Sequence, residues 1–117
     1  MNKLTEDDVI GLNIAICDKV NEQLLLINRN GLLSALSILD NDYYNNENEQ
    51  IAAFFRSLIV NHPFKDGNKR TANIAIIIMK KPICSRNALI DITMKIAIGE
   101  LNDYYNIAKL LWGKINE

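Results

Sequence analysis

Residues 51–79 read IAAFFRSLIVNHPFKDGNKRTANIAIIIM, two apolar segments separated by one short polar loop. Pro63 ends the first segment, because proline disfavours a helical residue before it and has no backbone N–H to donate. A second helix begins after Asn68 and is apolar on nearly all sides as far as Met79, so we expect it to be the buried centre of the fold. The first segment has the spacing of a single helical face, formed by Ile51, Phe54, Phe55, Leu58 and Ile59.

Further helices are predicted on the N-terminal side of this unit. Thr5 and Asp8 have the spacing of a capping pair. After them, apolar residues fall near one helical face: Val9, Ile16, Cys17 and Val20. A second apolar run, residues 24–27, leads into an Asn-Arg-Asn-Gly sequence at 28–31 that predicts a helix stop. Residues 32–36 then start a short helix.

Two helices are predicted on the C-terminal side. One of them ends at Gly99, and Asn102 and Asp103 are the candidate caps of the other. Their apolar faces are Leu89, Ile92, Thr93 and Ile96, and Tyr104, Ile107, Ala108 and Leu111. The chain is therefore predicted to be all-α, a compact single-domain bundle of about six to seven helices over residues 1–117. Residues 40–46 would form a short flap loop or hairpin.

Composition narrows the range of functions. A hydrophobic content of 49% and a charged content of 23% are typical of a folded soluble protein. The net charge of −1 argues against direct binding to nucleic acid or to an anionic membrane. The N-terminus is too polar for a secretion signal, and the apolar run 74–79 is too short to span a bilayer. These features predict a cytoplasmic protein, in which Cys17 and Cys84 stay reduced.

The loop between the two central helices concentrates groups that bind phosphate. A helix N-terminus carries unpaired N–H groups and a partial positive charge, both of which favour anions. Gly67 can adopt positive φ, and the amides from Gly67 to Lys69 could then form an anion-binding nest. Arg70 adds a planar donor fork, and Lys69 adds a mobile point charge.

Three further residues of this loop suggest phosphate transfer. Asp66 supplies an oxygen ligand of the kind that Mg²⁺ prefers when it arrives with nucleotide phosphates. His62, the only histidine of the chain, could remove a proton from an attacking hydroxyl. Phe64 alternates with these two residues, so we expect it to point inward and anchor the loop.

Each residue also has a plainer structural interpretation. Taken alone, His62 is typical of a helix end, and Asn68 is typical of a helix N-cap after a turn. Lys69 and Arg70 alone are typical of a solvated cationic pair. The combination of all these groups in one loop between two apolar helices favours the functional interpretation.

The stretch from His62 to Arg70 resembles the signature of the Fic/Doc family, His-x-Phe-x-Asp/Glu-Gly-Asn-Gly/Lys-Arg. Residues 30–36 resemble the segment that leads into the flap of that family, and residues 98–101 resemble the C-terminal end of Doc toxins. Every specified position of the signature is met, by His62, Phe64, Asp66, Gly67, Asn68, Lys69 and Arg70. The resemblance implies a Fic fold of the Doc type.

Members of the family transfer part of a nucleotide to a hydroxyl group of a target protein. The resemblance implies that His62 is the base and that Asp66 is the Mg²⁺ ligand. It also implies that ATP or another nucleoside triphosphate is the co-substrate. The implied phosphate-binding residues are Gly67, Asn68, Lys69 and Arg70.

Two positions favour a Doc-like kinase over an AMP-transferase. Lys69 stands where AMP-transferring members carry glycine, and Asn73 stands where they usually carry a second arginine. By resemblance, the chain would transfer a γ-phosphate to a threonine of elongation factor Tu and so arrest translation. Protein AMP transfer is the first alternative. A catalytically idle Fic-like binding module is the second.

The resemblance also implies two kinds of protein partner. The flap would align an extended segment of the target protein by strand addition. Its residues would be Asp40, Asn41, Asp42, Tyr43, Tyr44, Asn45 and Asn46, and the two tyrosines either contact the target or simply face solvent. No glutamate has Ser or Thr four residues before it, as the self-inhibitory motif of the family requires. We therefore expect an antitoxin in trans with a Phd-like disordered tail.

Overall fold

The computed structural model describes residues 1–18 and 26–113, and it is all-helical, as predicted. Within those residues there are six α-helices and one 3-10 turn, Ile38–Asp40. The radius of gyration of 13.5 Å is that of a compact domain, for which about 13 Å is expected at roughly this length. The helices are α1 (Glu6–Asp18), α2 (Arg29–Ser37), α3 (Glu47–Val60), α4 (Asn68–Met79), α5 (Arg86–Ala97) and α6 (Tyr104–Trp112).

Helix α3 is the centre of the fold. It packs against α2, α4, α5 and α6. The predicted apolar face is confirmed, because all five of its residues are no more than 1% exposed: Ile51, Phe54, Phe55, Leu58 and Ile59. Burial of such large apolar side chains is the main stabilising contribution in a bundle of this kind.

The prediction that α4 is the buried centre is wrong. This helix packs mainly against α3 and α1, and it has a smaller contact with α5. On its other side, Ile74, Ile77 and Ile78 are 37%, 44% and 48% exposed. Its buried residues are Thr71, Ala72, Ala75, Ile76 and Met79. An apolar helix therefore borders the surface, and a groove lies beside it.

Most of the predicted helix ends are confirmed. Thr5 and Asp8 form a reciprocal cap at α1, in which each backbone N–H donates to the side chain of the other residue, at 2.8 and 3.1 Å. Asp103 caps α6 by accepting from the Tyr105 N–H at 3.0 Å. Gly99 follows α5 with a φ of +83°.

The predicted helix stop at residues 28–31 is wrong. Asn28 is the N-cap of α2, because its side chain accepts a hydrogen bond from the Gly31 N–H at 3.0 Å. The same residue types serve both ends of helices, so composition alone misplaced this boundary. Val20 and residues 24–25 of the preceding apolar run lie outside the described residues.

Residues 40–46 form turns rather than a hairpin, and none of them is in a strand. The Gln50 side chain donates to the carbonyl oxygens of Ile38 and Asn41, at 2.9 Å in each case. Asn46 caps α3 by accepting from the Glu49 N–H at 2.9 Å. No helix in the described part of the chain is long and apolar enough to span a membrane.

Candidate active site

The loop between α3 and α4 contains two residues with left-handed backbone. Gly67 has a φ of +77°, as its predicted role requires, and His62 has a φ of +46°. His62 is the one non-glycine residue with positive φ among those described. Such a conformation costs a residue with a Cβ about 1–2 kcal/mol. The imidazole of this strained residue is exposed.

The backbone around His62 is held in place from two directions. Phe64 is 3% exposed and belongs to the hydrophobic core. The carbonyl oxygen of Pro63 accepts from the N–H groups of Ile27 and Asn28, at 2.9 and 3.0 Å. The backbone at the neighbouring His62 is therefore fixed by main-chain bonds, and its side chain has no hydrogen bond to any residue that the structure describes.

Asn68 closes the loop upon itself. Its side-chain oxygen accepts from the Phe64 N–H at 3.0 Å, and its side-chain nitrogen donates to the Phe64 carbonyl at 2.8 Å. The N-cap of α4 is Gly67, which offers no side chain, and not Asn68. What Asn68 presents to a ligand is consequently its backbone N–H.

Asn13 on helix α1 holds the loop in place through hydrogen bonds. This role was not predicted from the sequence. Asn13 is 1% exposed, and its Nδ2 donates to the Asp66 carbonyl at 2.9 Å and to Thr71 Oγ1 at 3.1 Å. Its signal in the sequence is a polar residue four positions from both Val9 and Cys17, on the apolar face of α1. A buried amide at such a position needs a specific partner.

Gly67 is required by contact as well as by conformation. A Cβ at this position would lie 3.0 Å from Cys17 Sγ and 3.2 Å from Asn13 Nδ2. The close approach of α1 and the loop thus depends on the missing side chain. Cys17 is buried, and both cysteines are free thiols.

The N-terminus of α4 leaves its amides open to a ligand. The first helical bond runs from the Thr71 N–H to the Gly67 carbonyl at 2.8 Å. Within the described residues, the N–H groups of Asn68, Lys69 and Arg70 have no hydrogen-bond acceptor. Free amides at the positive end of a helix dipole are suited to bind phosphate.

These groups surround one cleft of about 400 Å³. It is lined by Ile59, His62, Lys65, Asp66, Gly67, Asn68, Lys69 and Arg70. Lys65, Lys69 and Arg70 are exposed, and none of the ion pairs found in the described part of the chain includes them. The cleft therefore presents three cations that form no ion pair with a carboxylate of the described residues, an arrangement that suits a polyanion.

Asp66 is the acidic residue of this cleft. Its carboxylate has no hydrogen bond or ion pair to any described residue, whereas its carbonyl is held by Asn13. One carboxylate facing a phosphate site fits Mg²⁺, which takes its remaining ligands from phosphate and water. No three His, Cys, Asp or Glu residues form a metal-binding group in residues 1–18 and 26–113.

The predicted flap residues, 40–46, do not line the cleft. Tyr43 is 73% exposed, and the ring of Tyr44 meets that of Tyr104 edge-on with centroids 5.1 Å apart. Burial, and then the neighbouring Tyr43, raise the pKa of Tyr44, so it stays protonated. Asp40 pairs with Lys3 at 2.8 Å. The structure thus brings together the residues predicted around His62 and separates the flap from them.

One comparison with known proteins gave a match. The sequence model of the Fic/DOC family matches residues 3–79 of the 117, a range that includes α1, the strained loop and the whole of α4. No curated protein and no solved structure matches the chain.

Proposed function

The chain belongs to the Fic/DOC family, and from that premise we propose that it is a Doc-like toxin kinase. It transfers the γ-phosphate of ATP or another nucleoside triphosphate to a hydroxyl group of a target protein. The favoured target is a threonine of elongation factor Tu, and translation stops when this factor is modified. The observation that carries the proposal is one cleft where an exposed histidine, a carboxylate, three cations and three backbone amides converge, and where the carboxylate and the amides have no partner among the described residues.

The residues of the cleft have separate roles in the transfer. The amides of α4 and Arg70 hold the phosphate oxygens and oppose the charge that develops on them. A neutral ring nitrogen of His62 accepts the proton of the target hydroxyl. The hydroxyl oxygen then bonds to the γ-phosphorus, the bond to the β–γ bridging oxygen breaks, and the nucleoside diphosphate leaves. Mg²⁺, held by Asp66, would supply neutralisation of the phosphate charge.

Two side chains support phosphate transfer over AMP transfer. Lys69 is exposed at the cleft, where a glycine would leave the space open. Asn73 brings no positive charge, and its Oδ1 lies 2.9 Å from Thr93 Oγ1 on α5. Lys69 adds a positive charge at the loop, whereas Asn73, one turn later, lacks the charge of an arginine. This change in charge favours placing the γ-phosphate, rather than the α-phosphate, next to His62.

Labelled nucleotide separates the candidate reactions. The purified chain is incubated with elongation factor Tu, Mg²⁺ and ATP that carries its label at either the α or the γ position. Label transferred from the γ position alone is the expected result. Label from the α position would make the chain an AMP-transferase. Binding of ATP without any transfer would make it an idle module.

A matched pair of variants assigns the transfer to the cleft. His62→Ala should lower it by about 10²–10⁴-fold, and Asn87→Ala should leave it unchanged, since Asn87 is exposed on α5 and lines neither the cleft nor the neighbouring groove. Equal transfer by His62→Ala and the wild type would overturn the base-dependent mechanism.

The flap and the antitoxin complete the proposal. Tyr43, which is 73% exposed, would contact the target protein, so Tyr43→Ala should raise the KM for the target without weakening ATP binding.

An antitoxin with a Phd-like disordered tail would inhibit the toxin in the cytoplasm. Expression of the wild-type chain alone should therefore arrest growth, and expression of His62→Ala should not. Growth arrest by both chains would contradict toxicity through the cleft.

A further inference from the structure

A second cavity lies beside the cleft, between α4 and the segment that enters α5. It has a volume of about 620 Å³. Its lining includes Asn73, Ile74, Ile77, Cys84, Leu89 and Ile90. Arg70 lines this groove and the cleft alike, so the two meet at the first turn of α4. We call this cavity the α4–α5 groove.

The groove has the character of a small-molecule site. Its walls are aliphatic, with Ile74 and Ile77 on α4 and Leu89 and Ile90 on α5. Small-molecule pockets have volumes of roughly 300–1,000 Å³ and are mostly apolar, with a few placed polar groups. Among the described residues that line the groove there are three cations and no carboxylate. It is therefore suited to a flat apolar ligand that carries negative charge at one end.

Asn73 supplies a fixed polar group in the groove. Thr93, which is 2% exposed, has its hydroxyl oxygen 2.9 Å from Asn73 Oδ1 and 2.8 Å from the Leu89 carbonyl. The Asn73 carboxamide is thereby held against α5, and its Nδ2 has no hydrogen bond to a described residue and can serve a ligand. A pre-oriented amide can pair with the hydrogen-bonding edge of a nucleobase.

We propose that the α4–α5 groove holds the nucleoside part of the co-substrate, while its phosphates pass Arg70 into the cleft. The base lies between the aliphatic side chains of α4 and α5, and Asn73 contacts its polar edge. Along α4, Ile77 is seven residues beyond Arg70, a rise of about 10 Å at 1.5 Å per residue. This inference rests on the proposed function, because it takes a nucleoside triphosphate as the co-substrate.

Two ligands that differ only in the nucleoside test the assignment. Binding of Mg²⁺-ATP and of Mg²⁺-tripolyphosphate is measured by calorimetry on the wild type, Ile77→Gln, Arg70→Ala and Leu110→Gln. Ile77→Gln should weaken ATP about tenfold, through lost apolar contact, and leave tripolyphosphate unchanged. Arg70→Ala should weaken both ligands. Leu110→Gln, a change at a helical residue 50% exposed and outside the groove, should weaken neither.

The outcomes separate this inference from the proposed function. If the wild type binds ATP more tightly than tripolyphosphate and Ile77→Gln changes neither affinity, the nucleoside lies elsewhere and the groove assignment is wrong. If the wild type binds neither ligand, the nucleotide-dependent function fails, and the assignment fails with it. Weakening of both ligands by Ile77→Gln would show damage to the phosphate loop and would also count against the assignment.

A thiol label gives an independent reading on the unmodified chain. Cys84 lines the groove and is half-buried, whereas Cys17 is 1% exposed and serves as the internal reference. Burial raises the pKa of Cys84, so the labelling is run at mildly alkaline pH, where more thiolate is present. ATP should slow the labelling of Cys84 several-fold, and tripolyphosphate should not. Equal labelling with and without ATP would overturn the proposal.

Discussion

The two polar segments that flank α3 use their side chains in opposite ways. In the flap before α3, the side chains of Asn41 and Asn46 accept hydrogen bonds from nearby backbone N–H groups. Asp40 forms an ion pair with a lysine side chain. In the loop after α3, the backbone is held by other residues, and the charged side chains remain unpaired within the described chain. A fixed backbone with unsatisfied polar groups marks a site prepared for a ligand, whereas local satisfaction marks a structural turn.

The largest effect is expected at His62, where strain and chemistry coincide. Both His62→Ala and His62→Gly should lower transfer by about 10²–10⁴-fold, because the proton acceptor is lost. The glycine variant should be about 1 kcal/mol more stable to urea than the alanine variant, since its φ of +46° suits glycine. Equal stability of the two variants would show that this residue carries no backbone strain.

Gly67 offers the next largest effect, on folding itself. Gly67→Ala should destabilise the protein by about 2 kcal/mol, from left-handed strain plus a contact with the Cys17 sulfur. Gly11 on α1 is the matched control, because a Cβ there meets nothing within 4 Å. Gly11→Ala should stabilise by about 0.5–1 kcal/mol. Thermal unfolding measures both changes, and a destabilised Gly11→Ala would undermine the comparison.

Variants of Asn13 test whether helix α1 holds the loop in place. Asn13→Leu should cost about 1–3 kcal/mol of stability, because the Asp66 carbonyl loses its amide donor and keeps only the weak donor Cys17 Sγ at 3.8 Å. It should also raise the Mg²⁺ concentration needed for half-maximal transfer, since the metal ligand is no longer fixed. Thr71→Val removes only the second partner, so its effect on the Mg²⁺ requirement should be smaller. A purely structural role for Asn13 would lower stability and leave the Mg²⁺ requirement unchanged.

The parts of the fold that are determined locally could be predicted from the sequence. The α3 face follows from its apolar spacing, and the caps at Thr5 and Asp103 follow from side chains that bond within three residues. The site loop was found because its groups are contiguous in the chain. These features require no knowledge of what packs against them.

The remaining features depend on tertiary contacts. A helix with apolar residues on nearly all sides, such as α4, has the same sequence pattern whether other helices enclose it or it borders a groove. Asn13 acts on Asp66 across 53 residues, a separation that no local pattern reports. The strained φ of His62 is likewise set by bonds from residues 27 and 28 to Pro63, far away in the chain.

A variant of Asn46 tests the flap, the segment that was compared with the loop after α3. Asn46→Ala removes the α3 cap and should lower stability by about 1 kcal/mol. Its effect on ATP binding should be negligible, because Asn46 does not line the cleft. Loss of stability comparable to that of Asn13→Leu, without any change in nucleotide affinity, would show that the flap acts independently of the nucleotide site. A large loss of ATP affinity would mean that the two segments are coupled.

The smallest effect is expected at the ion pair between Glu6 and Arg29, which belongs to neither segment. The Arg29 guanidinium donates to Glu6 at 2.7 Å and lowers the pKa of that carboxyl, first by the hydrogen bond and then by its charge. The lowered pKa means that the pair stabilises the fold above the unfolded value of about 4.3 and loses this contribution as pH falls further. Urea unfolding of the wild type and Glu6→Gln should therefore differ at neutral pH and converge as the pH falls through the lowered pKa of Glu6. A difference that persists in acid would assign the effect of Glu6 to packing, and added salt should reduce the neutral-pH difference if charge is its origin.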